Sequence, residues 1–387
     1  MENARYSFSL NISVMKLIGF YPSDTYPCVH KIYAVIVYLI LMLPPTILGP
    51  LRFVLAQEVT SFDYNDFMMV GMIFYTFKFL PFVKNGEKFK KCIHYFDEFY
   101  GSVVHDQHKK IIQECVNVCQ RNSRVFFVGC IGGIVGFMGQ LLTREDPTQL
   151  LVNVWLPDFV MKSRVLYYHV YVILILGLVY ASFACGTIDP LIGGLAHQAT
   201  AQLQVLKDNL ENLGRHSKQD FLNLENIDEN TKSKNIDLAI KNCIRHHQTI
   251  IDFVCEYQEC FSMVVFSQFT ESTLTIGLLC FQISKTLELD IYFLIAMNYL
   301  SLLFFQIFFY CYYGTLLIEE SKTLPTAVYM SRWYEYNIQT KRTLNILMER
   351  SKRPMVVRAG KLFDLSLDTF TTVLKRAYSF VAVLRNY

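Results

Sequence analysis

The chain has 387 residues, of which 52% are apolar and 15% aromatic, and its formal net charge at pH 7 is +3. This composition indicates that lipid rather than water surrounds much of the protein. The small net charge, and the lack of a basic cluster interleaved with aromatic residues, argue against nucleic acid as a partner.

The first 32 residues lack the charged start, apolar run and small-residue cleavage site of a secretory signal, so we expect the amino terminus to stay in the cytoplasm. Phe8, Ile12, Met15 and Phe20 fall loosely on one helical face. They predict a helix lying along the membrane surface, or otherwise a disordered start.

Seven windows of about 20 mostly apolar residues predict seven spanning helices. The windows are 32–55, 64–83, 125–142, 165–188, 261–283, 291–318 and 362–384. Pro44 and Pro45 fall inside the first window and predict a kink there, because proline removes a backbone donor.

The distribution of basic residues predicts the orientation of these spans. Of the 36 lysines and arginines, 27 lie in residues 1–31 and in the linkers 84–124, 189–252 and 319–361, and only six on the opposite side. The positive-inside rule therefore predicts a cytoplasmic amino terminus and an extracellular carboxyl terminus. This is the reverse of a G-protein-coupled receptor, whose Asp-Arg-Tyr and Asn-Pro-x-x-Tyr motifs are also missing.

None of the 11 cysteines falls in a predicted external loop, so we expect free thiols.

The cytoplasmic linkers show helical periodicity. Apolar residues recur every three or four positions at Leu203, Leu206, Leu210 and Leu213, and again at Ile240, Ile244, Ile251 and Val254. In the sixth linker Pro325 predicts a helix start, with Leu344, Leu347 and Met348 on one face. Such faces must be buried, either in an anchor bundle between subunits or in a peripheral bundle within one subunit.

The sequence thus predicts an all-α integral membrane protein with seven transmembrane helices and cytoplasmic helical extensions that form an anchor bundle. Its segments are a cytoplasmic start (1–31), helices 1–4 with pocket elements (32–188), helical extensions and a loop (189–260), helices 5–6 (261–318), the cytoplasmic half of the last helix (319–360) and a pore-lining helix 7 (361–387).

A polar stripe marks the last helix, because polar or small residues recur every three or four positions along it. They are Lys361, Asp364, Asp368, Thr372, Lys375, Ser379, Ala382 and Asn386. Polar groups in hydrocarbon need water or protein opposite them. The stripe therefore predicts a pore lining, or alternatively polar contacts with helices of the same subunit.

Individual positions on this helix suggest finer roles. Asp364 and Asp368 could form a carboxylate ring that favours cations, or could instead cap the helix. The outer positions Val381, Ala382 and Arg385 are candidates for a constriction. Lys375 near mid-span needs a partner, and Glu271 of the fifth span is a candidate counter-charge.

The residues show no catalytic constellation, metal-site spacing or cofactor motif, so the sequence predicts neither an enzyme nor a metal or cofactor site. Cys115 with Cys119, and His246 with His247, lack the spacing of a zinc site.

Several short motifs near the carboxyl terminus resemble the insect odorant receptor family. They are Tyr329, Trp333-Tyr334, Arg350-Ser351-x-Arg353-Pro354, Ala359-Gly360-Lys361-Leu362-Phe363, Leu365-Ser366-Leu367-x-Thr369-Phe370, Leu374-Lys375-x-Ala377-Tyr378-Ser379-Phe380 and Leu384-Arg385. The inverted seven-span layout extends the resemblance over the chain.

The resemblance implies an odorant-gated, non-selective cation channel subunit in the plasma membrane of olfactory sensory neurons. It implies a heterotetramer with the odorant receptor coreceptor (Orco), embedded in membrane lipid, with the last helix lining the pore. Ala382 makes a weak apolar collar for a pore-former of this family, which suggests that a partner supplies the gate.

The resemblance also implies a pocket for a volatile, mainly apolar ligand in the outer half of the second, third, fourth and sixth spans. With the predicted orientation, the candidates are Val70, Phe74, Tyr75, Ile134, Phe137, Met138, Tyr167, Tyr168, Tyr171, Phe293, Ala296 and Tyr299. Packing or interfacial anchoring is the alternative for each aromatic residue.

Two other functions remain open. A gustatory-type ligand-gated channel would have the same architecture, although its usual ending differs from Ala377-Tyr378-Ser379-Phe380. A seven-span transporter should show internal repeats and broken helices in corresponding positions, and the sequence shows neither.

Overall fold

The computed structural model describes residues 4–55, 66–97, 105–143, 150, 154–213, 229–285 and 291–385. Most of these residues are α-helical, as expected for a chain that must satisfy its backbone hydrogen bonds inside lipid. The helices are α1 (Ala4–Ser7), α2 (Ser9–Ile18), α3 (Pro27–Leu55), α4 (Asp66–Ile93), α5 (Asp106–Thr143), α6 (Asp158–Lys162), α7 (Arg164–Glu211), α8 (Glu229–Lys285), α9 (Ile291–Met330), α10 (Ile338–Ser351) and α11 (Leu367–Arg385). A 3₁₀ turn (Trp333–Glu335) and two short antiparallel strands, β1 (Arg358–Ala359) and β2 (Phe363–Asp364), complete the described elements.

Five of these helices, α3, α5, α7, α8 and α9, contain a predicted span in full, and α4 and α11 contain most of the other two. Among the described residues, five helices are long and apolar enough by composition to cross a membrane, namely α3, α5, α7, α8 and α9. Charged residues such as Lys78 in α4 and Lys375 in α11 lower the hydropathy of the other two. The prediction of an all-α membrane protein is confirmed.

Helix α7 lies at the centre of the bundle. Its residues Ile188, Leu191 and Leu195 are fully buried, and α5 and α9 pack along it. Small residues allow this close packing. At Gly193 an added Cβ would lie 2.1 Å from the ring of Phe309 on α9.

Both α7 and α8 extend past the predicted spans as amphipathic helices. In α7, Leu203, Leu206 and Leu210 are fully buried, and in α8 Ile240 is buried as well. The apolar faces predicted from periodicity are therefore packed within this subunit. His246 of α8 is hydrogen-bonded to Gln202 Oε1 of α7 at 3.0 Å and joins the two extensions.

The amino-terminal helix α2 packs one face against the bundle, so the alternative of a disordered start was wrong. Phe8 and Met15 are fully buried, and the Asn11 side-chain amide donates to the carbonyl oxygen of Thr187 on α7 at 2.8 Å. Gly194 of α7 leaves room for the Phe8 ring, since a Cβ there would lie 2.5 Å from it. The bundle therefore buries the apolar face that we expected to meet lipid.

Pro44 and Pro45, where the sequence predicts a kink, lie inside one continuous helix, α3. The backbone leaves helical angles at Asn85 of α4, with φ −126° and ψ 36°. Pro45 has no N–H for the carbonyl of Leu41, and that oxygen faces Gly177 of α7, where a Cβ would lie only 2.6 Å away.

The prediction that residues 319–360 form half of the last helix was wrong. α9 continues through Pro325 to Met330, α10 is a separate helix, and the chain then turns through β1 and β2 before α11 begins. Gly360 and Lys361 adopt left-handed angles, with φ of 57° and 61°, which end any helix there. Lys361 and Asp364 therefore lie in the hairpin before α11.

Candidate functional site

A cavity of about 330 Å³ lies among α4, α5, α7 and α9, and this volume is large enough for a small organic molecule. Its walls are mostly apolar. The glycine-rich face of α5 leaves space that larger side chains would fill. The lining residues are Met68, Met72, Tyr75, Cys130, Gly132, Gly133, Ile134, Gly136, Phe137, Met138, Leu178, Val179, Ala181, Ser182, Cys185, Leu294, Ile295, Asn298, Tyr299, Leu302, Leu303 and Gln306.

The cavity brings together five of the twelve predicted ligand residues. These are Tyr75, Ile134, Phe137, Met138 and Tyr299. The other seven lie outside its lining, namely Val70, Phe74, Tyr167, Tyr168, Tyr171, Phe293 and Ala296. On α7 the cavity is lined by residues between Leu178 and Cys185. These lie about two helical turns or more further along α7 than the predicted Tyr167, Tyr168 and Tyr171. Tyr168 is 45% exposed, as an interfacial residue would be.

Two tyrosines form the polar end of the cavity. The hydroxyl groups of Tyr75 on α4 and Tyr299 on α9 are 3.0 Å apart, and the Tyr299 hydroxyl donates to Glu271 Oε1 of α8 at 3.3 Å. Gly71 allows this approach, because a Cβ at that position would lie 3.1 Å from the Tyr299 oxygen. These contacts connect the cavity to α8.

Glu271 is fully buried and surrounded by donors. Its Oε2 accepts from the Gln268 amide at 2.8 Å and from the Ser272 hydroxyl at 3.1 Å, and its Oε1 accepts from Thr275 at 3.4 Å as well as from Tyr299. The predicted pairing with Lys375 was wrong, since Lys375 lies exposed on α11.

An ion pair lies next to this group. Lys78 Nζ of α4 donates to Asp189 Oδ1 of α7 at 2.5 Å and to Gln268 Oε1 of α8 at 2.6 Å. Asp189 also accepts from Tyr310 at 2.5 Å and from the amide of Gln306 at 2.7 Å. Burying both charges is tolerable because each has a charged partner and further hydrogen bonds.

We call these side chains the polar network; its members are Tyr75, Lys78, Asp189, Gln268, Glu271, Gln306, Tyr299 and Tyr310. Lys78 lies inside the second predicted span, but its partner was not predicted from the sequence. Asp189 falls one residue past the predicted end of the fourth span. An acidic residue at the edge of one span and a basic residue inside another were the signal that could have predicted this ion pair.

Helix α9 also contacts the start of α11. The Thr315 hydroxyl accepts from the backbone N–H of Leu367 at 2.9 Å, and the rings of Phe308 and Phe370 meet edge to face with centroids 5.6 Å apart. Gly314 fits closely against the preceding segment, where a Cβ would lie 2.2 Å from the carbonyl oxygen of Leu365. One helix thus carries both the cavity wall and the contacts to α11.

The predicted pore residues divide into three groups. Asp368, Thr372, Lys375, Ser379 and Ala382 lie exposed on α11, whereas Val373 and Ala377 on the opposite face are buried. Asp364 lies in β2, where its carboxylate accepts from Arg358 Nε at 2.7 Å. The side chains of Val381 and Arg385 fall outside the described part of the structure, as does Asn386.

All eleven cysteines are free thiols, and only Cys28 and Cys255 are exposed. In the ranges that the structure describes, no three or more His, Cys, Asp or Glu side chains are grouped to hold a metal ion.

Comparison with known proteins adds three findings. The model of the family described as 7tm Odorant receptor matches residues 59–378. The odorant receptor coreceptor of Aedes aegypti is 30% identical over 146 residues, and Odorant receptor Or2 of Anopheles gambiae is 24% identical over 187 residues. The first match covers 38% of this chain and 30% of the coreceptor, and the second covers 48% of each protein. The chain therefore spans less than half the length of these curated relatives.

The solved structure of the olfactory receptor OR5 from Machilis hrabei in complex with eugenol is similar to the whole chain. The TM-score is 0.81 at 14% sequence identity, and the match covers 98% of this chain and 97% of the other. At this identity the likeness concerns the fold.

Proposed function

Since the chain belongs to the 7tm odorant receptor family, we propose that it is an odorant-gated, non-selective cation channel subunit that works with the odorant receptor coreceptor. In this proposal the cavity among α4, α5, α7 and α9 binds a volatile, mainly apolar ligand. The exposed face of α11 lines the ion path. The subunit resides in the plasma membrane of olfactory sensory neurons with its amino terminus in the cytoplasm.

The observation that carries the proposal is the exposure of the polar stripe on α11. Within one subunit, Asp368, Thr372, Lys375 and Ser379 are not covered by other parts of the described chain, while Val373 packs inward. A spanning helix with such a face needs water or other subunits opposite it. This favours a pore around a symmetry axis over polar contacts within the subunit.

The contacts of α9 support a route from ligand to pore. Tyr299 and Gln306 border the cavity, and Phe308 and Thr315, within about four and a half turns of Tyr299 on the same helix, contact α11. A ligand that fits the cavity better when α9 is in its open-state position would stabilise the open pore.

Whole-cell recording tests the proposal. We expect volatile-evoked cation currents in cells that express this chain with the coreceptor, and none of these responses in cells that express the coreceptor alone. Ligand-driven solute uptake without an ionic current would instead support the transporter alternative and contradict the channel.

Epitope labelling tests the orientation separately. We expect a tag after Tyr387 to be labelled on intact cells and a tag before Met1 only after permeabilisation. The reverse pattern would contradict the orientation predicted from the distribution of lysines and arginines, and with it a ligand pocket in the outer half of the bundle.

A further inference from the structure

The hydrogen bonds at the polar end of the cavity have a direction, and that direction selects a chemical class of ligand. Lys78 fixes the direction, because an ammonium group only donates. Its bond to Gln268 Oε1, at 2.6 Å, forces the Gln268 amide NH₂ to face Glu271, to which it donates at 2.8 Å.

The two oxygens of Glu271 are surrounded by hydrogen-bond donors. Four donors reach its two oxygens: the Gln268 amide and Ser272 hydroxyl at Oε2, and the Thr275 and Tyr299 hydroxyls at Oε1. A carboxylate offers about four acceptor positions and no proton. The Tyr299 proton is therefore directed to Glu271.

The next bond follows from this one. A phenol has a single proton, and that of Tyr299 is committed to Glu271, so in the 3.0 Å contact between the two hydroxyls Tyr75 must donate and Tyr299 must accept. The proton of Tyr75 is then directed at Tyr299, and the Tyr75 oxygen keeps an acceptor position on a residue that lines the cavity.

We propose that the cavity selects apolar ligands that carry one hydrogen-bond donor, namely alcohols and phenols, over ketones, ethers and hydrocarbons of the same shape. The ligand hydroxyl donates to the Tyr75 oxygen. At Tyr75 a ketone presents an acceptor to an acceptor and makes no hydrogen bond there in exchange for its lost hydration. This inference rests on the proposed function and names the ligand class of the same site.

Other polar groups at the cavity do not set this preference. Gln306 uses its amide nitrogen on Asp189 and its oxygen on Gln268. Ser182 and Asn298 line the cavity as well, and each can either donate or accept, so they favour neither class. Tyr75 is the group whose direction is imposed by buried charges.

The experiment compares pairs of similar ligands of which only one member carries a hydrogen-bond donor. Cells that express the chain with the coreceptor receive borneol and camphor, menthol and menthone, and benzyl alcohol and benzyl methyl ether. We expect the half-maximal concentration of the hydroxyl compound to be about tenfold lower within a pair, the value of one neutral hydrogen bond.

Variants then test the direction itself. Tyr75→Phe should abolish the preference within each pair. Tyr299→Phe removes the acceptor of the Tyr75 proton, which becomes available to a carbonyl oxygen, so the relative potency of the ketones should rise. Tyr168→Phe, outside the cavity lining, is the matched control and should keep the wild-type ratio.

Several results would overturn the inference. One is a wild-type receptor that responds equally well to both members of the pairs, or only to volatiles without a donor. Another is a Tyr75→Phe variant, present at the cell surface, that keeps the full preference. If no volatile evoked a coreceptor-dependent current, the proposed function itself would fail.

Discussion

Lys78 of α4 and Asp189 of α7 form an ion pair of 2.5 Å in which both side chains are fully buried. Lys78 also holds Gln268 of α8, and Asp189 also binds Gln306 of α9. Four long helices therefore meet at two charges. This junction lies beside the cavity. Gln306, which binds Asp189, and Tyr75, whose ring lies under Lys78 Nζ, both line the cavity.

Removing one charge of this pair should destabilise the protein strongly. Lys78→Met leaves Asp189 buried and uncompensated, and Asp189→Leu does the same to Lys78. For either single variant we expect a loss of about 3–5 kcal/mol, measured as a lower melting temperature of detergent-solubilised protein.

The double variant Lys78→Met with Asp189→Leu should be more stable than either single variant, because it leaves no unpaired charge. Lys91→Met is the matched control, since Lys91 pairs with Glu256 at an exposed position and should not change the melting temperature. Equal melting temperatures for Lys78→Met and Lys91→Met would contradict the role of the buried pair.

The cavity predicts different effects for two phenylalanines. Phe137 of α5 lines the cavity, whereas Phe74 of α4 is half-buried outside its lining. Phe137→Ala removes apolar contacts with a bound ligand and should raise the half-maximal concentration about tenfold or more. Phe74→Ala should leave it within about twofold, on the scale of ordinary substitutions away from a site. Dose–response recordings at matched surface expression measure both, and the opposite order would contradict this placement of the ligand.

Gly314 of α9 should not tolerate a side chain. A Cβ there would lie 2.2 Å from the carbonyl oxygen of Leu365, and backbone cannot move as a flexible side chain does. We expect Gly314→Ala to cost about 1–3 kcal/mol of stability and to reduce ligand-evoked current by displacing the start of α11.

Gly139→Ala on α5 is the control for this substitution, because an added Cβ meets no atom of the described residues within 4 Å. There alanine should be neutral or slightly stabilising through its helix propensity. A Gly314→Ala variant with normal melting temperature and normal current would show that the segment before α11 can shift freely.

Asp364, before α11, and Asp368, in its first turn, should differ in their effect on ion flow. Asp368 is exposed in the first turn of α11, whereas Asp364 is paired with Arg358 in the hairpin. Asp368→Asn should lower single-channel conductance for cations, because it removes an unpaired negative charge near the ion path. Asp364→Asn should affect conductance less, and a larger effect of Asp364→Asn would contradict this assignment.

Periodicity and hydropathy were enough to predict the long helices, since burial of Leu203, Leu206 and Leu210 follows directly from their spacing. The break before α11 was not predictable in the same way, because it depends on left-handed angles at Gly360 and Lys361. Leu362 and Phe363, which follow the turn, are apolar like the span after them. The hairpin was therefore predicted as the beginning of the seventh span.

The cavity was only partly predictable because its position depends on where neighbouring helices fail to touch. Orientation and aromatic content selected Tyr75, Phe137 and Tyr299, which do line it. They could not reveal that the α7 wall lies at Leu178 to Cys185, where small residues leave space. Partners across helices, such as Lys78 and Asp189, likewise depend on tertiary packing.

Cysteine accessibility along α11 provides the sharpest test of the ion path. Ser379→Cys and Thr372→Cys, two helical turns apart on the exposed face, should react with water-soluble thiol reagents and change the current. Val373→Cys and Ala377→Cys, on the buried face, are the matched controls and should not react.

These substitutions belong in a Cys28→Ser, Cys255→Ser background, since those two are the exposed native thiols. The reaction at Ser379→Cys should be faster with ligand present, because opening admits more water to the face that lines the path. Reaction at all four positions would indicate a helix in open water, and reaction at none would place the stripe against protein or lipid. Only alternation with the helical period supports a pore formed by one face of α11.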